Sequence, residues 1–499
     1  MALSWDQLSF SSAFAWSASF LIALIITTLS LILFLGLGVF SNRLLKAFLI
    51  VVFLGNAVAL YFIDQYQVML NSSMMGNVLN TDVGEVSTLI HPLMGFYIFF
   101  WGGIPAAVVW WWPLSQRPWW HRALGFFVIP VPCLLLIYAL SSTWLWIDQH
   151  AGQLGSRLLP WSYIVNTVRY LDKEYESRLQ FEPLSDANVV DLKGQKRVVV
   201  LVIGESARAD RQGLYGYERE TNENSKAIGV ISIPNVKACG SYTIAALTCI
   251  LSHRGAEVPD RKSMGEPLPT YLYRQGVDVV WRTANSGHPP INVRLFQNRA
   301  DIQNTCGDSD CTNRQWDELL LFGLKDIIAN SSSQRIFIVL HLSGSHGPAY
   351  HTKYPQEFER FKPTCKSVIL KECDTESLRN AYDNTIVYTD HVLSRLTQIL
   401  KETNTKSAWV YLSDHGESLG ESGLYLHGTP SVLAPREQLE IPFFLWLSPE
   451  IMDKRSFDSK KLANLANVGQ GHVFHTVMGL FQMSGGPYRS DLDLINSIR

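Results

Sequence analysis

Charge is what this chain has little of: Asp, Glu, Lys and Arg make up only 17% of its 499 residues, against 47% hydrophobic residues. The formal net charge is −2 and no basic run occurs, so the electrostatic footprint of a nucleic-acid binder is missing. Internal repeats and low-complexity tracts are also missing, which excludes a solenoid or a disordered protein. No C-x-x-C pair is present, which argues against a cysteine-based zinc site. No basic segment precedes the first apolar run, so a cleaved signal peptide is not expected.

The charge that is there is unevenly spread. Residues 1–145 hold four basic residues (Arg43, Lys46, Arg117, Arg122) and four acidic ones (Asp6, Asp64, Asp82, Glu85), and the other 38 basic and 40 acidic residues follow. Four apolar runs, 14–40, 47–63, 93–112 and 123–145, lie in the first part. A hydrocarbon layer of ~30 Å takes ~20 helical residues to cross, so four spans are expected. Arg43 and Lys46 lie between the first two runs and Arg117 and Arg122 between the last two, whereas residues 1–42 and 64–92 have no Lys or Arg. The positive-inside rule makes the two basic loops cytoplasmic. It places the N-terminus, residues 64–92 and everything after 145 on the opposite side. Trp101, Trp110–Trp112, Trp119 and Trp120 fit interfacial anchors. Of the 7 cysteines, Cys133 lies in a span and the rest form close pairs, Cys239/Cys249, Cys306/Cys311 and Cys365/Cys373. Three short loops of this kind suit an oxidising compartment.

The predicted organisation is a transmembrane domain over 1–145, interfacial linker helices over 146–197 and a catalytic domain over 198–499. Val198–Ile203, Val277–Trp281, Ile336–Leu340 and Trp409–Leu412 read as buried strands, separated by helical patterns at 266–275, 315–329 and 376–401. That alternation predicts an α/β domain with a mostly parallel central sheet. Such sheets place their sites at the C-terminal ends of strands. Here those ends deliver Glu205, His341 with His346, and Asp414-His415, with His427 shortly after. Carboxylates and imidazoles together suit zinc. A hydroxyl nucleophile could come from the segment bounded by Cys239 and Cys249, and local chemistry does not choose among Ser241, Thr243 and Thr248.

Longer motifs carry a resemblance. Met75, Asn77-Val78-Leu79-Asn80-Thr81-Asp82, Gly204-Glu205-Ser206-Ala207-Arg208-Ala209-Asp210, Leu214-Tyr215-Gly216-Tyr217 and Cys239-Gly240-Ser241-Tyr242-Thr243 stand in the first half. Gly344-Ser345-His346-Gly347-Pro348-Ala349-Tyr350, Ala381-Tyr382-Asp383-Asn384, Ser413-Asp414-His415-Gly416-Glu417-Ser418 and Leu426-His427-Gly428 complete the set. With them the chain resembles, over nearly its whole length, the phosphoethanolamine transferases of Gram-negative bacteria, the group that includes the lipid A enzymes of polymyxin resistance. The resemblance implies a membrane-embedded helical domain and a periplasmic domain of the alkaline phosphatase/sulfatase superfamily. It implies an inner-membrane, multi-pass protein, expected to be a monomer.

By the same resemblance Glu205, Thr243, Asp414 and His415 are zinc ligands and Thr243 is the nucleophile. His346 and His427 handle the phosphate, move protons or reach a second zinc, and Asn285 contacts substrate. One tight zinc ion is implied, with a second allowed. The three cysteine pairs match disulfides of the family. His341 is equally suited to a supporting role, and Glu417 is expected to support the site. The implied donor is phosphatidylethanolamine and the implied acceptor is lipid A or the lipopolysaccharide core, both in contact with membrane lipid. The alternative is a phosphoglycerol transferase or a sulfatase-like phosphohydrolase of the same superfamily.

Three departures stand out. The family usually has five spans with an inside N-terminus, and four runs are counted here. Many relatives carry a Lys four residues after the Asn matching Asn285, where this chain reads Gly287-His288-Pro289-Pro290 and offers His288 as a substitute. Thr248 occupies a common Pro position beside Cys249.

Overall fold

Where the chain has fewest charges it folds into helices, because a backbone without water must satisfy its own polar groups. The computed structural model describes residues 13–81, 91–113, 119–140, 143, 155–177, 181–258, 261–306, 315–452, 465 and 467–496. Asp82, Glu85, Arg117, Cys311 and residues 144–154 lie outside the described residues. The chain divides into two compact units, residues 1–78 with 90–171, and residues 79–89 with 172–499.

In the first unit, α1 (Ala13–Phe40) and α2 (Asn42–Tyr66) follow one another directly, with the Ser41 side chain capping α2 at the amides of Arg43 and Leu44. The third long helix, α3 (Pro92–Trp111), contains a π-helical turn at Ile98–Gly103. Gly102 in that turn packs on α2, where an added Cβ would meet Leu54 and Ala57 at 3.1–3.3 Å. Among the described residues, three helices are long and apolar enough to cross a membrane: Trp16–Phe40, Asn42–Tyr66 and Pro92–Trp111. The fourth predicted run is also helical, as α4 (Trp119–Val128) and α5 (Pro130–Ala139). Its apolar stretch, Ala123–Ala139, is shorter than the other three. Lys46 directs its ammonium to the Trp110 carbonyl at 2.8 Å, so the basic loop end is tied to the end of α3. Helix α6 (Trp161–Ser177), in the segment read as linker, packs into this unit. Its Asn166 amide donates to the Leu70 carbonyl at 2.7 Å and its Tyr163 hydroxyl to Asn56 at 3.1 Å.

In the second unit, alternating apolar side chains on both faces of a strand demand cover on both sides. Seven strands build the main sheet: β1 (Arg197–Gly204), β2 (Ile231–Ser232), β3 (Asp278–Thr283), β4 (Leu295–Asn298), β5 (Arg335–His341), β6 (Lys406–Ser413) and β7 (Phe443–Leu447). Their order is β2-β7-β6-β1-β5-β3-β4. The five strands from β6 to β4 are parallel, and β7 and β2 close one edge in antiparallel register. Val199, Leu201 and Ile203 of β1 enter one core with α7 (Thr243–Leu251), α8 (Leu268–Arg274) and α10 (His472–Leu480). Val198, Val200 and Val202 enter the other, under α9 (Thr375–Glu402).

All four predicted strands are present. The helix expected over 315–329 is instead a 3-10 turn at Asp317–Leu321 and a short helix at Leu324–Asn330. Gly323 between them adopts φ +63, a left-handed conformation that interrupts the helix.

Cys239 is bonded to Cys249 and Cys365 to Cys373, and Cys133 is free and buried. Loop closure makes each such short link worth ~2–3 kcal/mol. Non-reducing peptide mapping should recover both links. Replacing Cys365 and Cys373 together by Ser should lower the melting temperature without altering metal content. A cross-paired peptide would contradict this framework.

Candidate active site

The parallel strands bring their C-terminal ends to one level. Gly204 lies opposite Ser413, Ile203 opposite His341, and His341 opposite Thr283. The residues that follow are polar: Glu205 after β1, Asp414-His415 after β6, Ser343–His346 after β5 and Asn285 after β3. Gly204 is needed at the first of these ends, since a Cβ there would fall 2.6 Å from the Tyr411 hydroxyl.

Glu205, Asp414 and His415 are fully buried, and Thr243 is 8% exposed. Thr243 Oγ1 lies 3.3 Å from Glu205 Oε2 and 3.4 Å from His415 Nε2. His415 Nε2 lies 3.3 Å from Glu205 Oε1 and 3.4 Å from Asp414 Oδ2. His415 Nδ1 lies 2.9 Å from the Gly416 carbonyl, which can only accept, so the Nδ1 hydrogen is spent there. In the neutral ring, Nε2 then turns a lone pair toward two carboxylates. A cation must lie between them, either a proton on Nε2 or a metal ion. Asp414 Oδ2 has no hydrogen-bond donor among the described residues, although it is buried.

Oxygen and nitrogen donor atoms from four side chains thus converge. Ligand atoms bound at ~2.0–2.1 Å around a tetrahedral zinc are separated by about 3.3–3.4 Å. The separations above match that spacing, so Glu205, Thr243, Asp414 and His415 fit a metal ion. His427 joins the cluster from one side: single ligand atoms of Glu205, His415 and His427 lie within 4.8 Å of one another. The His427 ring is 4.3 Å from that of His415 and 5.1 Å from that of His346, and its Nδ1 is 3.4 Å from buried Glu417 Oε2.

The electrostatics point the same way. Burial pushes the Glu205 carboxyl upward, but the positive charge of His415, His346 and His427 outweighs it and holds Glu205 well below the usual range. Asp414 is pushed well above its ordinary value by burial and then by the charge on Glu205. Glu417 is raised to about 7, by burial against the pull of His346 and His415. Like charges in one dry site cannot all ionise without compensation.

Thr243 is the first residue of α7, with Tyr242 in extended conformation as its N-cap. The helix N-terminus offers amides and the positive end of its dipole to an anion. The two competing hydroxyls are engaged elsewhere. Ser241 donates to the Thr429 carbonyl, and Thr248 Oγ1 donates to the Ile244 carbonyl at 2.7 Å. Of the three, only Thr243 faces Glu205.

A further set of residues holds the cluster in place, and two of them, Gln470 and Asp317, carry no sequence signal. Ser206, at φ +57, donates its hydroxyl to Glu205 Oε1 at 2.7 Å and its amide to Asp414 Oδ1 at 3.1 Å. Asn285, a predicted substrate contact, donates to Glu205 Oε2 at 2.6 Å. Buried Gln470 donates to the Ser413 and Asp414 carbonyls at 3.1 and 2.6 Å and accepts the Cys239 amide at 2.8 Å. It thereby ties the end of β6 to the Thr243 loop. Asp317 accepts the amides of Ser343 and Gly344, each at 2.9 Å, fixing the loop that carries His346. His341 stands beneath the site, its Nδ1 3.4 Å from Thr283 Oγ1 and its pKa lowered to about 4 by burial. Glu417 stands against His427, with its Oε2 facing the ring Nδ1. Apart from the Ser206 hydroxyl, which bonds its neighbour Glu205, and Glu417, which lies ten positions before His427, these contacts span positions far apart in sequence, which is why only the fold reveals them.

Residues 197–483 match the sulfatase family, and residues 21–175 match the family described as phosphoethanolamine transferase EptA/EptB. The phosphoethanolamine transferase EptA of Helicobacter pylori is 37% identical over 472 residues, covering 93% of this chain and 87% of that protein. Among solved structures, the integral membrane protein lipooligosaccharide phosphoethanolamine transferase A (EptA) from Neisseria meningitidis is similar with a TM-score of 0.88 at 26% identity, covering 100% of this chain and 95% of that one. The C-terminal periplasmic domain of EcEptC from Escherichia coli, in complex with Zn, is similar with a TM-score of 0.51 at 25% identity, covering 64% of this chain and 90% of that one.

Gly344 gives a local test of the site. Its φ is +47, and a Cβ would fall 2.7 Å from the Glu205 carbonyl oxygen and 2.8 Å from the Glu205 nitrogen. Gly344→Ala should lower stability by well over ~1 kcal/mol, the cost of the left-handed conformation alone, and should reduce metal content. Gly276→Ala, at φ +82 with nothing within 4 Å, is the control and should cost only about 1 kcal/mol with metal retained. Thermal melting and elemental analysis read both. Equal behaviour of the two variants would contradict the close approach of Gly344 to Glu205.

Proposed function

The chain belongs to the phosphoethanolamine transferase family, and on that premise we propose that Thr243 carries phosphoethanolamine covalently between two lipids. The donor is phosphatidylethanolamine and the acceptor is lipid A or the lipopolysaccharide core. The observation that supports this reading most is the Thr243 hydroxyl itself, at a helix N-terminus and 3.3 Å from buried Glu205. The protein works as a monomer in the bacterial inner membrane, with its catalytic unit on the periplasmic side. The three helices of spanning length support the membrane part of that reading.

The residues act in two half-reactions. Thr243 Oγ1 attacks the donor phosphorus, a new O–P bond forms, and the P–O bond to diacylglycerol breaks. The nearest acceptor for the threonine proton is Glu205 Oε2, at 3.3 Å. Diacylglycerol leaves with a proton, delivered from the pair His346 and His427, whose rings lie 5.1 Å apart. An acceptor oxygen then attacks the same phosphorus, the Thr243 O–P bond breaks and the hydroxyl is restored. Amides at the start of α7 face the charge that develops on the phosphoryl oxygens. Asn285 holds Glu205 in line through the two steps.

Glu205, Thr243, Asp414 and His415 would hold one zinc ion, with His427 in reach. When bound, zinc supplies positive charge that lowers the pKa of a coordinated hydroxyl and offsets phosphoryl charge.

Thr243→Ala should reduce transfer by on the order of 10³-fold or more, as when a covalent route is lost. Thr243→Ser should retain a fraction, because the hydroxyl stays while its rotamer loosens. Ser241→Ala and Thr248→Ala, whose hydroxyls bond backbone carbonyls, should remain within about tenfold of wild type if the loop folds. Mass spectrometry of lipopolysaccharide from expressing cells reads the gain of phosphoethanolamine. Near-normal transfer by Thr243→Ala, or transfer of a glycerol head group instead, would overturn the reading.

A further inference from the structure

Among the described residues, the most exposed large apolar side chain does not belong to the helical unit. It is Val432 of the catalytic unit, 90% exposed, ahead of Tyr138 in the helical unit at 85%. Its neighbours Ser431 and Leu433 are exposed as well. The whole segment from Gly428 to Pro435 carries no charge, and charge begins only at the foot of the loop with Arg436, Glu437 and Glu440. A single exposed valine is ordinary on a protein surface. One held out from the surface by a braced loop, on the segment that follows His427, calls for a partner.

The bracing is specific. Pro430 and Pro435 restrict the backbone on either side of the tip, and the Leu433 amide closes a turn onto the Pro430 carbonyl at 2.7 Å. The base of the loop is tied to the nucleophile segment. The Gly428 amide donates to the Ser241 carbonyl at 2.8 Å, and the Ser241 hydroxyl donates to the Thr429 carbonyl. Buried Gln438 accepts the Thr429 amide at 3.2 Å and donates to the Leu426 carbonyl at 3.1 Å. At the foot, exposed Arg436 is paired with Glu440 at 2.9 Å. The tip therefore stands at a fixed place relative to His427 and Thr243. It can enter the boundary of head groups and acyl chains without burying a charge, while its backbone groups still reach water.

The partner follows from where this unit is kept. The chain passes between its two compact units three times, at residues 78–79, 89–90 and 171–172. The first unit holds three helices long and apolar enough to cross a membrane. A unit tethered in this way meets a bilayer surface at an effective concentration that a soluble partner does not reach. We propose that the Val432–Leu433 tip enters the bilayer leaflet on the catalytic side and acts as an interfacial anchor. Its apolar side chains leave water for the acyl boundary, and the braced base carries the His427 and Thr243 segments to the lipid surface with it. A lipid donor then presents its phosphorus while its acyl chains stay in the bilayer. The anchor goes beyond the transfer reading given above and rests on it only for this kinetic consequence.

The test uses the full zinc-loaded chain in vesicles of phosphatidylethanolamine and phosphatidylglycerol, with a nitrobenzoxadiazole probe on Val432→Cys in a Cys133→Ser background. Ser332→Cys, exposed ahead of β5 at the opposite end of the sheet, carries the same probe as control. The probe at 432 should emit to the blue of the control, be quenched by lipids with a nitroxide high on the acyl chain, and resist aqueous iodide. Val432→Asp should raise KM for donor in vesicles about tenfold with kcat within about twofold. It should leave turnover of a dispersed short-chain donor, the melting temperature and the zinc content unchanged, and Val432→Leu should keep the wild-type KM. Equal emission and equal iodide quenching at 432 and 332 would overturn the proposal. It would also fall if Val432→Asp slowed both donors alike, since the substitution would then act through the His427 loop. A blue shift that grows with protein density and shows no lipid quenching would assign the tip to a second copy and overturn it too. A wild-type chain that releases no diacylglycerol would refute the transfer reading instead, and the fluorescence would still decide the anchor.

Discussion

Two carboxylates taken out of water at the ends of adjacent strands, Glu205 and Asp414, are the constraint on which the catalytic unit depends. Each buried charge costs several kcal/mol unless it is compensated. The protein supplies part of the compensation through Ser206, Asn285 and the His415 amide. It leaves Asp414 Oδ2 without a donor among the described residues, and it directs the His415 Nε2 edge at both acids. That arrangement is costly as an empty pocket and favourable around a cation. Metal binding and the ordering of this edge of the sheet are therefore coupled.

The surroundings make sense as a means of keeping that cluster rigid. Gly344 lets the His346 loop lie against the Glu205 backbone. Gln470 links the strand that carries Asp414 to the loop that carries Thr243. Tyr382 on α9 donates to the Ser206 carbonyl at 2.6 Å, and buried Arg208 pairs with Asp210 and Glu421 at 2.7 and 2.6 Å. A reaction that passes a phosphoryl group from one oxygen to another gains from such fixed charge, because nothing has to reorganise when charge develops.

Much of this was legible in the sequence, for physical reasons. Val198–Ile203 could only be a strand buried on both faces, and a strand of that kind predicts a parallel sheet with its site at the C-terminal edge. Glu205, Asp414 and His415 followed from that placement. The choice among Ser241, Thr243 and Thr248 did not follow from local chemistry, because all three carry the same group within a few residues. Their difference is tertiary: two hydroxyls meet backbone carbonyls and the third meets Glu205. Gln470 and Asp317 were invisible for the same reason, since their partners lie far along the chain. The helix expected over 315–329 failed at Gly323, whose left-handed φ no periodicity reveals. The fourth apolar run is helical, but its described stretch falls short of the other three, and its end lies outside the described residues.

The central claim is that the Thr243 oxygen becomes bonded to the transferred group. Mass spectrometry of the peptide containing Thr243, after the zinc-loaded chain meets phosphatidylethanolamine without acceptor, tests it most directly. The account predicts a phosphoethanolamine adduct on Thr243 that disappears when acceptor is added. An unmodified Thr243 peptide from an enzyme that still transfers, or an adduct on another residue, would contradict it.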